Sequence, residues 1–471
     1  MVYSVAYMMN FIKKYSIELI CAGYAFVRIF SFFLYRFDLV LLQQLSALLI
    51  VVGFTYISTK RNDIGFVLIL GEILFGGAGQ FLILGEFILR TWMLFLFGCI
   101  WIIQKRYKGV SELFTKKEKI IVSSVLIVIA YAIMRGFLHK HQTGWVLQDA
   151  MLYLFILFII PFKQYSKTIS KFGQMFFDAF IYCTSVFSFV TFLIYSSGIG
   201  FLPDTYYHWF RNIVGGKITD LGNNFYRIVT SEQLLLVPII LILFSYLLYN
   251  ISFKQNKKTW ILFFLSLASI ILNFTRIYFI AIIIGSFFLL SKKVWKKWLV
   301  VAMVAVVFST SFLVGTSLVA SGGDTTGLDL VGVKIASIAR PSDDASGVTR
   351  MLLLPQIFEK IERYPILGSG LGISVQFIDP VKKEMITRTQ FDWGYFEMIT
   401  ELGGLGVLVY MTFIFPLCIF LYKKKISSRL AVGYLAGIIA LCIVNVTTPA
   451  LFQGFGVLYL VGSGGIQKWP I

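Results

Sequence analysis

Six arginines and five lysines collect in two polar stretches, 201–228 and 319–391. They are Arg211, Lys217 and Arg227 in the first, and Lys334, Arg340, Arg350, Lys360, Arg363, Lys382, Lys383 and Arg388 in the second. A guanidinium stays charged and matches a phosphate in bidentate geometry, so arginines gathered in loops are candidates for an anion site. Arg276 adds to them, standing at the head of a long apolar run behind Asn273-Phe274-Thr275. Lipid phosphates, pyrophosphates and acidic sugars are the anions such a site would take; scattered solubilising charge is the plainer account. The other reactive residue types contribute little. Cys21, Cys99, Cys183, Cys418 and Cys442 lie in apolar runs without Cys-x-x-Cys spacing, which reads as buried, inert thiol. Three histidines, His139, His141 and His208, lack the companions of a metal centre.

The elements that must hold these residues are membrane helices. Of 471 residues, 58% are hydrophobic and 14% charged, with a mean hydropathy of +0.83. Those charges are too few to cover soluble domains of this size, where about a quarter of residues carry charge. About 20 apolar residues cross a bilayer. Fourteen segments meet that test, near 16–35, 39–58, 64–84, 87–104, 119–137, 145–162, 175–199, 229–251, 258–274, 276–291, 296–318, 395–422, 428–446 and 450–465. Twelve remains open, because the connections within 64–104 and 258–291 are very short. The expected fold is an all-α polytopic membrane protein. It divides into an N-terminal bundle of about seven spans (1–200), an external loop (201–228), further spans (229–318), a large external loop (319–391) and C-terminal spans (392–471). Leu354, Phe358 and Ile361 repeat at helical spacing, which predicts an amphipathic helix over 345–363 at the membrane–water interface, kinked or restarted at Pro355.

The net charge of +19 is divided by this topology. Lysines fill every second connection, from Lys13 and Lys14 through Lys105 to Lys119, Lys163 to Lys171, Lys254 to Lys258 and Lys292 to Lys297, to Lys423 to Arg429. The positive-inside rule places those connections and both termini in the cytoplasm. Nucleic-acid binding is then not needed to explain the charge. The loop arginines run against the same rule and so ask for another reason. Charges inside spans are costly. Glu18, Arg28, Glu72, Asp149, Asp178, Glu397 and Glu401 read mostly as ion pairs or snorkelling side chains.

A family resemblance gathers several of these residues. Arg350 opens the loop helix, which leads into Tyr364-Pro365-Ile366-Leu367-Gly368-Ser369-Gly370-Leu371-Gly372. Asp392-Trp393-Gly394-Tyr395 and Glu401-Leu402-Gly403-Gly404-Leu405-Gly406 follow. This resembles the O-antigen ligase / Wzy-type polymerase superfamily of bacterial envelope glycan assembly: an arginine, a helix, a P-x-x-G-x-G-x-G turn, a short polar motif and E-x-G-x-x-G. Thr275-Arg276 and Arg227 are similar to its other marks.

The resemblance implies a GT-C-like glycosyltransferase in the bacterial cytoplasmic membrane, acting at the outer face. Its donor and acceptor would be glycans on undecaprenyl pyrophosphate, its transfer inverting and without metal or cofactor. A chain-length regulator and a flippase would be its partners. Arg227, Arg276 and Arg350 would bind the pyrophosphate, with Arg211, Lys217 and Arg340 around them. Gly368, Gly370 and Gly372 would shape a tight turn whose N–H groups approach an anion. Tyr206, Tyr207 and Tyr395 would stack on sugars or anchor at the interface, and Glu401 would lie in the substrate site. Ligases of the family carry a histidine where Asp392 stands, which favours a polymerase here, with Asp392 as general base or as a helix cap. A ligase and a lipid-linked oligosaccharide flippase are the rival readings.

Overall fold

The computed structural model describes residues 16–196, 203–339, 345–378, 384–424 and 428–465. Within them the chain is helical apart from three two-stranded antiparallel hairpins, Ile83–Leu84 with Phe87–Ile88 (β1, β2), Lys217–Asp220 with Tyr226–Val229 (β3, β4) and Val375–Ile378 with Met385–Arg388 (β5, β6). The helices, in order, are α1 Ser16–Arg36, α2 Val40–Lys60, α3 Asn62–Phe75, α4 Leu89–Ile103, α5 Lys116–Leu138, α6 Thr143–Leu154, α7 Ile159–Gln164, α8 Ser166–Ser196 and α9 Thr205–Asn212. They continue as α10 Leu236–Tyr249, α11 Lys257–Asn273, α12 Arg276–Phe287, α13 Trp295–Ser321, α14 Leu328–Ala339, α15 Ala345–Arg363, α16 Gly394–Lys424, α17 Arg429–Val444 and α18 Gly454–Gly465.

Each of the fourteen expected segments contains a helix, though 64–84 is helical only to Phe75 and then turns into β1. Eight are long and apolar enough to cross a membrane, counting 143–164 as one span. The shorter ones include both pairs with very short connections: α3 and α4 are joined through the β1–β2 hairpin, and α11 and α12 meet across Phe274-Thr275.

Packing follows the sequence pattern. In α1 the buried residues Tyr24, Arg28, Ser31 and Leu34 fall three or four apart and face α8. The centre of the bundle is α10, nearly all of whose side chains are buried. It lies against α17, where Gly433 and Gly437 permit the approach: a Cβ at Gly433 would stand 2.8 Å from the Cα of Ile242, and one at Gly437 would stand 2.7 Å from the Cβ of Pro238. Small residues four apart bring two helices close in just this way, and dispersion between the backbones replaces the hydrophobic drive that lipid cannot supply.

The in-span charges are mostly paired. Arg28 Nη2 donates to Glu232 at 2.8 Å with both side chains buried, and its guanidinium lies over the rings of Phe187, Tyr24 and Phe81. Arg90 pairs with Glu72 at 2.6 Å, and Lys258 pairs with Asp178. Asp149, Glu397 and Glu401 are different, since all three are buried and none has an ion pair among the described residues; they accept instead from Gly372 N, Phe391 N and the Tyr153 hydroxyl.

In the second long loop, α15 passes through Pro355 as one helix. Its buried stripe is Leu353 and Ile357, continued by partly buried Ile361, which form a small core with Ile373, Val375, Phe377 and Phe391. This stripe is displaced by one residue from the expected Leu354–Phe358 face. Phe358 is exposed at its rim with its ring edge-on to Phe396 at 5.3 Å. The reason is the β5–β6 hairpin, a partner the helical periodicity alone did not reveal.

Candidate functional site

The site is built on the β3–β4 hairpin. Its register places Ile218 opposite Ile228, and both are buried. Alternation along a strand then sends Lys217, Thr219 and Arg227 to the other face together. The Arg227 side chain is fixed at two points: Nε donates to the Asn273 carbonyl at 2.7 Å and Nη2 to Thr275 Oγ1 at 2.8 Å. Both partners belong to the break between α11 and α12. There Phe274 has a left-handed φ of 50°, and Arg276 begins the next helix. The first loop's arginine and Arg276 are thus set by the same backbone break. Beneath them Gln233 accepts from Asn273 and donates to Ser188 and Ser269, so the break rests on a buried polar network.

The charges around Lys217 show how the two loops meet. Lost hydration, then the guanidiniums of Arg227 and Arg211, hold its ammonium below the usual lysine range; Tyr207 and Asp392 act in the opposite sense. Asp392 comes from the second loop, where Arg388 Nη1 lies 3.5 Å from its Oδ2. Its φ of 55° turns the chain sharply into α16. Arg350 joins through its backbone, whose carbonyl accepts from Trp393 Nε1 at 3.2 Å. Its Nε is buried and has no hydrogen-bond partner among the described residues.

Several expected site residues have other work. Tyr206 is buried, its ring enclosed by Phe32, Trp209, Phe210 and Tyr195, so it belongs to the core beneath α9 and has no free face for a sugar. Tyr207 is half-buried and its hydroxyl receives Arg211 Nη1 at 3.4 Å. Tyr395 donates to the Cys442 carbonyl at 2.8 Å, tying α16 to α17. Arg340 lies outside the described residues.

The glycine turn offers no N–H to an anion. Gly368 N donates to Tyr364, Ser369 N to Thr400, Gly370 N to Glu401 and Leu371 N to Ala132, all at backbone carbonyls, while Gly372 N donates to Asp149 Oδ2 at 3.0 Å. Each glycine instead admits another backbone. A Cβ on Gly368 would meet Glu401 O at 2.4 Å and Gly403 N at 2.5 Å; on Gly370 it would meet Gly136 N at 2.3 Å. Gly403 returns the contact, with φ 71° and ψ 171° breaking α16 against Ile366 and Gly368. The P-x-x-G-x-G-x-G turn and E-x-G-x-x-G are therefore the two halves of one joint.

Glu401 lies inside this joint, 1% exposed. Its Oε2 accepts from Tyr153 at 2.9 Å, and its Oε1 is buried with no hydrogen-bond partner among the described residues. The α5–α6 connection completes the clamp through His139 Nδ1 on Ser369 O at 2.7 Å and His141 Nδ1 on Leu371 O at 2.8 Å. Sequence reasoning set these histidines aside as metal ligands. Their partners lie 230 positions away, and nothing local marks that role.

Residues 261–411 match the O-antigen ligase family. Over that stretch, about a third of its length, the chain is similar to O-antigen ligases. No curated protein and no solved structure matches it. The matched O-antigen ligase segment contains Arg276, Arg350, the glycine joint, Asp392 and Glu401; Arg227 precedes it and reaches it through Asn273 and Thr275.

Proposed function

We propose that this chain is a glycan polymerase of the O-antigen ligase superfamily, joining oligosaccharide units carried on undecaprenyl pyrophosphate at the outer face of the bacterial cytoplasmic membrane. The observation that carries the reading is that Arg227 is fastened to the α11–α12 break from which Arg276 starts, while Lys217 beside it on the hairpin face feels the charges of Arg211 and of Asp392 from the end of the second loop. An acceptor hydroxyl attacks the donor's anomeric carbon, forming the new glycosidic bond as the sugar–phosphate C–O bond breaks. The electron pair leaves with the pyrophosphate, whose growing charge the fixed guanidiniums stabilise. Asp392 takes the hydroxyl proton. Attack opposite the leaving group inverts the anomeric centre.

The family's description as ligases favours a second reading, transfer of finished glycan to a lipid or protein acceptor. A deletion strain separates the two. Loss of a polymerase leaves single repeat units on the final acceptor; loss of a ligase leaves none. For the site, Arg227→Ala abolishes long surface chains on gels, and unchanged chain length overturns the pyrophosphate assignment. Full activity in Arg227→Lys would remove only the bidentate part of the argument.

A further inference from the structure

A large cavity lies away from the arginines. It is a half-open cavity of about 560 Å³ between α8, α10, α11, α17 and α18, reaching the lysine-bearing ends of α8 and α11. Leu70, Phe177, Ile239, Leu262, Leu430 and Leu458 are among its walls, and Ser170, Gln174, Lys258 and Thr259 stand among the few polar groups. Volumes of this size are typical of small-ligand sites. Water gains little from such walls, whereas an alkyl chain fills them without losing hydrogen bonds.

The rim decides what carries the chain. Lys258 lines the cavity, and Lys257 precedes it on α11; Lys171 lies between the lining residues Ser170 and Gly173 on α8, with Lys167 one turn earlier. All four are exposed. The carboxylates close to this rim are already paired: buried Asp178 with Lys258, and Asp63, which accepts from Thr168, with Arg61. A basic rim over an apolar cavity between helix ends matches an anionic headgroup with its tail inserted.

We propose that this cavity holds one acyl chain of an anionic glycerophospholipid, its phosphate seated among Lys167, Lys171 and Lys257. The phosphate seat is separate from the proposed donor site, because these lysines stand at the ends of α8 and α11 opposite the β3–β4 hairpin, although Leu235 and Ile239 carry the apolar wall toward the hairpin end of α10.

The test is native mass spectrometry of the full chain, purified from mixed phosphatidylglycerol and phosphatidylethanolamine membranes. Two variants narrow the cavity, Ser170→Leu and Gly462→Leu. At Gly462 an added Cβ meets nothing nearer than a Phe162 ring carbon at 3.9 Å, so the bundle should tolerate it. A third, Lys171→Gln with Lys257→Gln, leaves the cavity intact and discharges its rim. The expected result is retained phosphatidylglycerol on the parent chain, reduced at least tenfold by either cavity variant. In the rim variant, selectivity over phosphatidylethanolamine should be lost. Retention unchanged in both cavity variants overturns the proposal, as does a parent chain that retains no phospholipid. A polyprenyl phosphate retained in place of phospholipid also overturns it, and assigns the cavity to the donor's tail.

Discussion

Replacing Gly368 with alanine distinguishes a joint from an anion-binding turn. The substitution adds one methyl group where φ is 68° and where Glu401 O, Gly403 N and Glu401 C lie 2.4, 2.5 and 2.6 Å away. Left-handed backbone costs a residue with a Cβ about 1–2 kcal/mol. Overpacking adds about 1–3 kcal/mol. Those neighbours are backbone and cannot rotate aside, so the total loss is about 2–5 kcal/mol. Gly98→Ala is the control, a glycine in α4 with nothing within 4 Å of the added methyl. There the helix gains up to about 1 kcal/mol from alanine's better propensity. Thermal unfolding in detergent, followed by monodispersity on size exclusion, reads both variants. Gly368→Ala should melt well below the parent and lose glycan polymer in cells, while Gly98→Ala should do neither. If Gly368→Ala keeps the parental melting temperature and still loses polymer, the turn serves a ligand and the joint account fails.

Other expectations follow from single contacts. Arg28→Met strands the buried Glu232 carboxylate and should cost about 3–5 kcal/mol, much of it regained in Arg28→Met with Glu232→Leu; equal melting of the single and double variants would contradict this. Glu401→Gln keeps an acceptor for Tyr153, so fold and long chains should both survive, whereas Glu401→Ala strands that hydroxyl and should lower the melting temperature. Lost polymer in a stable Glu401→Gln would return Glu401 to the chemistry. Burial holds the His141 imidazole below its ordinary value of 6.5, so its neutral form favours the folded state. Its contribution is complete above 6.5 and is lost as pH falls from there toward the depressed folded value. Melting curves from pH 7.5 to 5 should therefore decline less steeply in His141→Gln, and identical slopes would exclude that role.

The helices were legible because each apolar run is about as long as a bilayer is thick, and the lysine connections mark its ends. Arg227, Arg276 and Asp392 were legible as charges in places where charge is costly or unexplained. What local sequence did not disclose was partnership. Lys217 and Arg227 share a face through hairpin register, and Arg227 meets the α11–α12 break 46 residues on. The glycines were recognised as a turn, but an anion and a neighbouring backbone both require a missing Cβ. Only the positions of Gly136, Val146 and Gly403 separate those demands. The stripe of α15 was misplaced by one residue because its partner, β5–β6, is too short to announce itself.

The contact between Gly368 and Gly403 sets a rule for exchange between related enzymes. The stretch between them contains most of what would be grafted to change specificity, including β5, β6, Arg388 and Asp392. Its two ends lie on each other's backbone, and its outer flank is latched to the α5–α6 connection by His139 and His141. A cassette cut at either glycine would arrive with half a hinge plate. One cut outside both, and carrying the α5–α6 connection with it, would bring its own fittings, and recombination breakpoints in natural chimaeras should fall outside that interval.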